Sequence, residues 1–421
     1  AYRYHDLFRV ALQGLLRRSM PGREPGLHLA AARALLDEGS YVPAVEHAVA
    51  AGDLDFAEGI LVDASASILA ARQIDTLVSL FERIDSTGHQ LKPSALMTWV
   101  AAALYSTRKG DEIHRLLMET RDRLERLTDE EHADVVRGLS VSAEPFHDSV
   151  EEFRAAVDST IAHRHGDRDL AIASYRGLRR PSENGFVEAA AGEALIYHER
   201  YSDGLALTEP WQRYCSGAQN DTMGAVNLAH CLSIVALGKH GQGRLDEADR
   251  VVDRAVTALS QRGLGDRPQL AIATLPAGWV AWERGELGAA AAVVERSIGP
   301  IRRLGELPAQ LLARMLAARI NSSRGNSKAA YADLDAALVP DGPHRVPPHF
   351  VDWITLERAR IALIFGDVDY AVLAIPDWER RLVDGTASTR EHLVLVRMAL
   401  AAGMRTSATE HPRLPEGAEP T

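Results

Sequence analysis

Trp279 and Trp282 stand three residues apart, and on an α-helix that spacing puts both indoles on one face. Such a pair offers broad apolar area and two N–H donors, which suits a sugar or a flat aromatic ligand; it can equally pack between helices as plain core. Counted back from Gly285, the two tryptophans take the third and sixth positions. The same register counted from other turns selects Arg319 ahead of Gly325, and Arg360 and Trp353 ahead of Gly366. It also selects His230 and Ser233 ahead of Gly243, and Glu193 ahead of Glu199. These eight side chains form an amphipathic set. Aromatic platforms stand beside two guanidiniums able to hold a carboxylate or phosphate, with three smaller polar groups to orient a guest. A small-molecule inducer is the ligand such a set would fit, although arginines on a helical surface also serve as solvated charge.

Other chemistries find less support. The histidines number 16, and the tightest cluster is His163-Arg164-His165, just before Gly166. It falls at a helix end, where cationic side chains suit the backbone dipole. No histidine pair has i,i+4 spacing with a carboxylate on a convincing helix, and Cys215 and Cys231 lack the paired spacing of zinc sites, so no metal is expected. A G-x-S-x-G element is absent, no cysteine is flanked as a nucleophile, and the chain is not expected to be an enzyme. Thr128 followed three residues later by Glu131 has the spacing of a capping box, which makes Asp129-Glu130-Glu131 a helix start and not a catalytic acid pair. A formal charge of −11 argues against binding to nucleic acid or an anionic membrane. Two cysteines and no apolar run of membrane-spanning length suggest a cytoplasmic protein.

The elements that must position the candidate residues are legible as a repeat. Gly243, Gly285, Gly325 and Gly366 follow one another at intervals of 42, 40 and 41 residues. Five positions after each stands Ala248, Ala290, Ala330 or Ala371, and seven before each stands Ala236, Gly278, Ala318 or Ala359. A glycine can end a helix in the left-handed conformation, and small residues let the two helices of a hairpin approach closely. A period near forty is that of a helical array. The fold expected is all-α: a right-handed superhelix of antiparallel helical hairpins. Gly39 with Ala44, Gly52 with Ala57 and Gly166 with Ala171 extend the offset towards the N-terminus, while Glu199 occupies a glycine-like position. Pro268, Pro308 and Pro347-Pro348 sit where helices should start, whereas Pro276 falls within a helix that it should kink or split.

The glycine, the alanine after it and the small residue before it resemble the tetratricopeptide pattern, with longer helices and with Lys239 and Asn321 where tyrosine is usual. Near the N-terminus, Tyr2-Arg3-Tyr4-His5-Asp6-Leu7-Phe8, His28-Leu29-Ala30-Ala31-Ala32 and Ala44-Val45-Glu46-His47-Ala48-Val49-Ala50-Ala51-Gly52-Asp53 resemble the sensor region of the large ATP-dependent LuxR-type regulators of the MalT kind. The resemblance covers residues 1–85 by motif and 86–405 by architecture. It implies residues 1–20 as the end of a winged-helix segment, 21–180 as irregular hairpins, 181–405 as regular repeats, and 406–421 as a linker towards a DNA-binding domain. It also implies an effector-sensing module that binds a small-molecule inducer on its concave face and couples it to oligomerisation and transcription control. No G-x-x-x-x-G-K-[ST] loop is present, so ATP is expected only on a separate N-terminal domain, and no cofactor in this segment. Its partners would be its own nucleotide-binding and DNA-binding domains and further copies of itself, with no direct nucleic-acid or membrane binding. The alternative is a scaffold whose groove holds a protein partner.

Overall fold

The computed structural model describes residues 6–20, 22–71, 73–104, 106, 110–128, 131, 150–179, 181, 185–218, 222–265, 268–339, 345–383 and 389–401. Every regular element among them is helical. The aromatic stretch at 2–4, most of the loop 340–345 and the stretch 406–421 lie outside the described residues. Two compact units share the chain: the first takes residues 1–108 and 115–150, the second 109–114 and 151–421.

The first unit holds α1 (Asp6–Ser19), α2 (Arg23–Asp37), α3 (Tyr41–Ala51), α4 (Leu54–Ala70), α5 (Ile74–Asp85), α6 (Pro93–Leu104) and most of α7 (Gly110–Glu125). Gly39 and Gly52 close α2 and α3 with φ of 71° and 78°, and Ala44 and Ala57, five residues on, are fully buried. Thr128 and Glu131 form the expected capping box: the Glu131 carboxylate accepts from the Thr128 N–H at 3.0 Å, and the Glu131 N–H reaches the Thr128 hydroxyl at 3.3 Å.

The second unit runs through α8 (Val150–His165), α9 (Arg168–Gly177), α10 (Phe186–Tyr197), α11 (Tyr201–Ala218), α12 (Thr222–Gly241), α13 (Leu245–Ser260), α14 (Gln269–Glu283), α15 (Leu287–Leu304), α16 (Leu307–Ser323), α17 (Ser327–Leu338), α18 (Pro348–Ile364), α19 (Val368–Ala374), α20 (Trp378–Val383) and α21 (Thr389–Ala401). Sequential helices pair as hairpins, and α10, α12, α14, α16 and α18 also pack against one another in order. That makes them the inner layer. Helix α13 shows what the outer layer requires: Ala248, Val251, Val252, Ala255 and Leu259 form one buried stripe and the opposite face is polar. The inner α14 and α16 are apolar nearly all round, because partners cover them on several sides.

The turns explain the period. Gly243, Gly285, Gly325 and Gly366 have φ between 73° and 80°. At Gly285 the N–H of Glu286 returns to the Ala281 carbonyl at 2.8 Å and that of Gly285 to Trp282 at 3.0 Å, a Schellman closure. Ala248, Ala290, Ala330 and Ala371 are all fully buried. A Cβ on Gly278 would lie 2.9 Å from Leu316 and 3.0 Å from Val293, so the small residue before each turn is a packing requirement. Asp167, Asn326 and Asp367 cap the helices that follow their turns, accepting from backbone N–H groups at 3.0–3.1 Å. Pro268, Pro308 and Pro348 stand at helix starts as expected, but Pro276 does not split its helix: α14 continues through it.

At Glu199 a residue with a side chain holds the left-handed conformation, φ 62°, which every other described positive-φ residue reaches as glycine. That conformation costs a side-chain-bearing residue about 1–2 kcal/mol. Glu199→Gly should therefore raise stability by about 1 kcal/mol, measured as a higher urea midpoint at unchanged slope.

Candidate functional site

The shared phase of the inner helices lays five of the candidate residues along one strip. Arg319 on α16 stacks its guanidinium over Trp279 at 4.9 Å and Trp282 at 4.7 Å, both on α14. Arg360 on α18 reaches the Trp282 ring at 5.8 Å, and Trp353, two turns before it on the same face of α18, meets Trp279 at 6.4 Å. Further along, His240 of α12 lies 5.9 Å from Trp279 and 3.7 Å from the Glu283 carboxylate. The indole N–H of Trp282 donates to the Ser323 hydroxyl at 3.2 Å. The strip thus crosses four successive inner helices.

The carboxylate that the arginine pair invites is supplied by the chain itself. Glu357, 3% exposed, accepts from Arg319 on Oε1 and from Arg360 Nε on Oε2 at 2.7 Å. Burial would raise its carboxyl, but the two guanidiniums override that and hold it at about 2. Desolvated cation–π contacts of this kind contribute on the order of 2 kcal/mol each. Glu357 lies between the register positions, so the register passes over it; its place three residues before Arg360 is the sequence signal that could have marked it.

Glu193, His230 and Ser233 belong to a second group. The Glu193 carboxylate takes a very short hydrogen bond from His163 Nδ1 and one of 2.7 Å from the Tyr197 hydroxyl. His163 Nε2 faces Glu306 at 3.5 Å, and the His230 ring lies 4.5 Å from that of His163. The Ser233 hydroxyl turns back to the His230 carbonyl at 2.7 Å. Burial would lower the His163 imidazole, yet Glu193 and Glu306 overcome it and raise its pKa to about 10. Glu306 is opposed by burial in the same way and still sits at about 2, because of His163, His230 and Arg164. Burial and the charged His163 push His230 down.

This group joins the start of the array to its later hairpins. Arg164 donates to the Leu304 carbonyl, 140 residues on. Phe350 at the start of α18 sits 5.4 Å from the Tyr197 ring and stacks on Trp353 at 6.1 Å. A Cβ on Gly166 would fall 2.8 Å from Phe350, so glycine serves there for close approach as well as for its φ of 68°. The inner layer therefore meets itself. One cavity left among His163, Glu193, Ser233, Pro276 and Glu306 has about 20 Å³, and another beside Gly166 and His198 about 10 Å³. That is room for about one water molecule, not for an inducer.

Larger openings lie elsewhere. One of about 310 Å³ adjoins Trp353 in the second unit. In the first unit, an opening of about 550 Å³ lies between Leu91, Met118 and a mixed rim of acidic and basic side chains. There, too, Asp55, Glu58 and His89 bring ligand atoms within 4.8 Å of one another. Both Glu58 oxygens are engaged, by the Lys92 N–H at 2.9 Å and by His89 at 2.8 Å, and Lys92 Nζ lies 3.5 Å from Asp55. That cluster fastens the 89–92 segment to α4. Among the described residues no helix is long and apolar enough to cross a membrane.

No protein-family model and no curated protein matches the chain. Among solved structures, it is similar to a Rap protein complexed with competence and sporulation factor, with a TM-score of 0.48 and 13% identity over 82% of this chain and 92% of that one. The Rap conjugation gene regulator of the plasmid pLS20, in complex with the Phr* peptide, gives a TM-score of 0.42 and 13% identity over 74% and 95%. Neither likeness bears on what this chain binds.

The buried ions set a pH window. His163, raised from 6.5 to about 10, contributes stability that is complete below pH 6.5 and lost as pH climbs to 10. Glu306 and Glu357, lowered from 4.5 to about 2, contribute stability present above pH 4.5 and lost towards pH 2. Stability from these groups should thus be greatest between pH 4.5 and 6.5. His163→Gln, which strands two buried carboxylates, should cost about 3–5 kcal/mol at pH 6. Urea titrations from pH 6 to 10 should show that difference shrinking.

Proposed function

We propose that this chain is a helical-repeat interaction module whose inner strip receives an extended peptide segment of a partner protein. The observation that carries the reading is the form of the strip: Trp279, Trp282, Arg319 and Arg360 follow one another across neighbouring helices, with His240 before them. Inner helices spaced 8–10 Å apart make such a strip about 25–30 Å long, enough for about eight extended residues. Extended recognition wants spaced side-chain platforms of this kind, whereas a small inducer wants one enclosure.

The MalT-like reading, a small-molecule sensor of a transcriptional activator, is the second one. It is favoured by the Ala44–Asp53 motif, which forms the α3–α4 turn around Gly52, and by the two larger openings. The two readings are compatible in one respect, since a regulator's sensor can take a peptide as its effector.

A positional-scanning hexapeptide library, read by fluorescence polarisation, tests the first reading. Peptides should bind, and Trp282→Ala, which removes a partly exposed platform, should weaken them at least about tenfold. A thermal-shift screen against sugars, aromatic acids and nucleotides runs beside it. Shifts there, with no peptide bound, would hand the function to the small-molecule reading.

A further inference from the structure

The opening of about 550 Å³ in the first unit has an apolar floor and a rim whose charges do not balance. Leu91 and Leu96, both buried, and the half-buried Met118 make the floor. Around it stand four carboxylates, those of Asp85, Glu119, Asp122 and Glu131, and two guanidiniums, those of Arg123 and Arg126. Both guanidiniums are already engaged. Arg123 holds Glu131 at 2.6 Å, while Arg126 lies 3.7 Å from the Asp122 carboxylate and donates to the Asp122 carbonyl at 3.0 Å. The His89 imidazole, also on the wall, is bound to Glu58 at 2.8 Å. Among the described residues, the carboxylates of Asp85 and Glu119 take no hydrogen bond and no ion pair. Two negative charges are left over.

Asp85 stands in a costly place. It is the last residue of α5, where the unpaired carbonyls of the helix already gather partial negative charge. A carboxylate there works against the helix, and a choice that breaks a local rule is expected where a side chain serves a site.

An apolar floor between uncompensated carboxylates suits a ligand that is cationic at both ends and apolar in between. An anion would meet arginines that are already neutralised and two carboxylates that repel it. A planar guanidinium wants an aromatic face, and the only ring on these walls is that of the engaged His89. An ammonium is a compact point charge that can pair with a single carboxylate. A methylene chain matches two leucines and the adaptable thioether of Met118. The volume lies in the range of small-molecule sites.

We infer that this opening binds an aliphatic diamine or polyamine, with one ammonium on Asp85, another on Glu119 and the methylenes along the floor. The inference goes beyond the peptide reading, since it concerns the other unit and a different ligand, and either can fail without the other.

The test uses the full chain and isothermal titration calorimetry. Diamines from 1,3-diaminopropane to 1,8-diaminooctane are titrated, with 1-aminohexane and 1,6-hexanediol as controls. One length should bind best, because each buried methylene adds about fourfold until the two ammoniums span the two carboxylates. The best diamine should bind at least about fivefold more tightly than 1-aminohexane, and hexanediol should give no heat. Asp85→Asn and Glu119→Gln should each weaken it about fivefold, and added salt should weaken it further. Glu46→Gln, at an exposed acid elsewhere in the first unit, should change nothing. Asp85→Asn should also raise the urea midpoint, a pairing with weaker binding that loss of folding cannot produce. Equal affinity for 1-aminohexane and the diamines, with no best length, would make the opening a plain apolar pocket and overturn the inference. Binding weakened as much by Glu46→Gln as by Asp85→Asn would reduce it to attraction by a chain of charge −11, and would overturn it too. So would a series in which no diamine binds.

Discussion

A charged imidazole held between two buried carboxylates, His163 between Glu193 and Glu306, is the contact on which the second unit's arrangement depends. Hairpins that pack only on their neighbours leave an inner face open, and the curvature is then set by small rotations at each step. Here the inner helices meet across the array as well, through Arg164 on the Leu304 carbonyl and Phe350 against Tyr197. Ions buried in such a place stabilise only when each has its partner, so the group holds the later hairpins in one position relative to the earlier ones.

That closure decides what the inner face can offer. Candidate side chains near the crossing, Glu193, His230 and Ser233, are consumed by structure and border only water-sized space. Those away from it, on α14, α16 and α18, lie along a strip ending in an open recess. Within the strip the arginines are held rigid by Glu357 and the tryptophans, and Trp279 and Trp353 are buried, so Trp282 is the indole of the strip that stays partly exposed, in a fixed position. The same internal pairing makes the strip a poor place for a small, highly charged ligand, which would have to displace Glu357.

Backbone strain and side-chain contact are in tension at Glu199. The turn after α10 follows the geometry of the glycine turns, yet keeps a carboxylate where glycine would be more stable. That carboxylate has an interaction of its own within the chain, and the cost of its backbone is the kind of local strain that persists where a side chain is needed.

The helical class, the hairpin period and the shared face of Trp279, Trp282, Arg319, Arg360 and Trp353 were all determined by the sequence alone. They depend on spacing within and between repeats, and a left-handed glycine, a small residue and an alanine at fixed offsets leave a visible mark. Of the two outcomes expected at Pro276, a kink or a split, the split does not occur: α14 runs on through it, with Leu275, Pro276 and Gly278 buried in the hairpin packing. The partners were invisible for a different reason. Glu357 falls between the register positions, and His163 meets Glu306 only because the inner layer crosses itself far along the chain. Periodicity says which face a side chain shares; it carries no information on how far the array curves, and so on which distant carboxylate will neutralise which cation. Tertiary structure alone decided that the two arginines hold a carboxylate of their own chain.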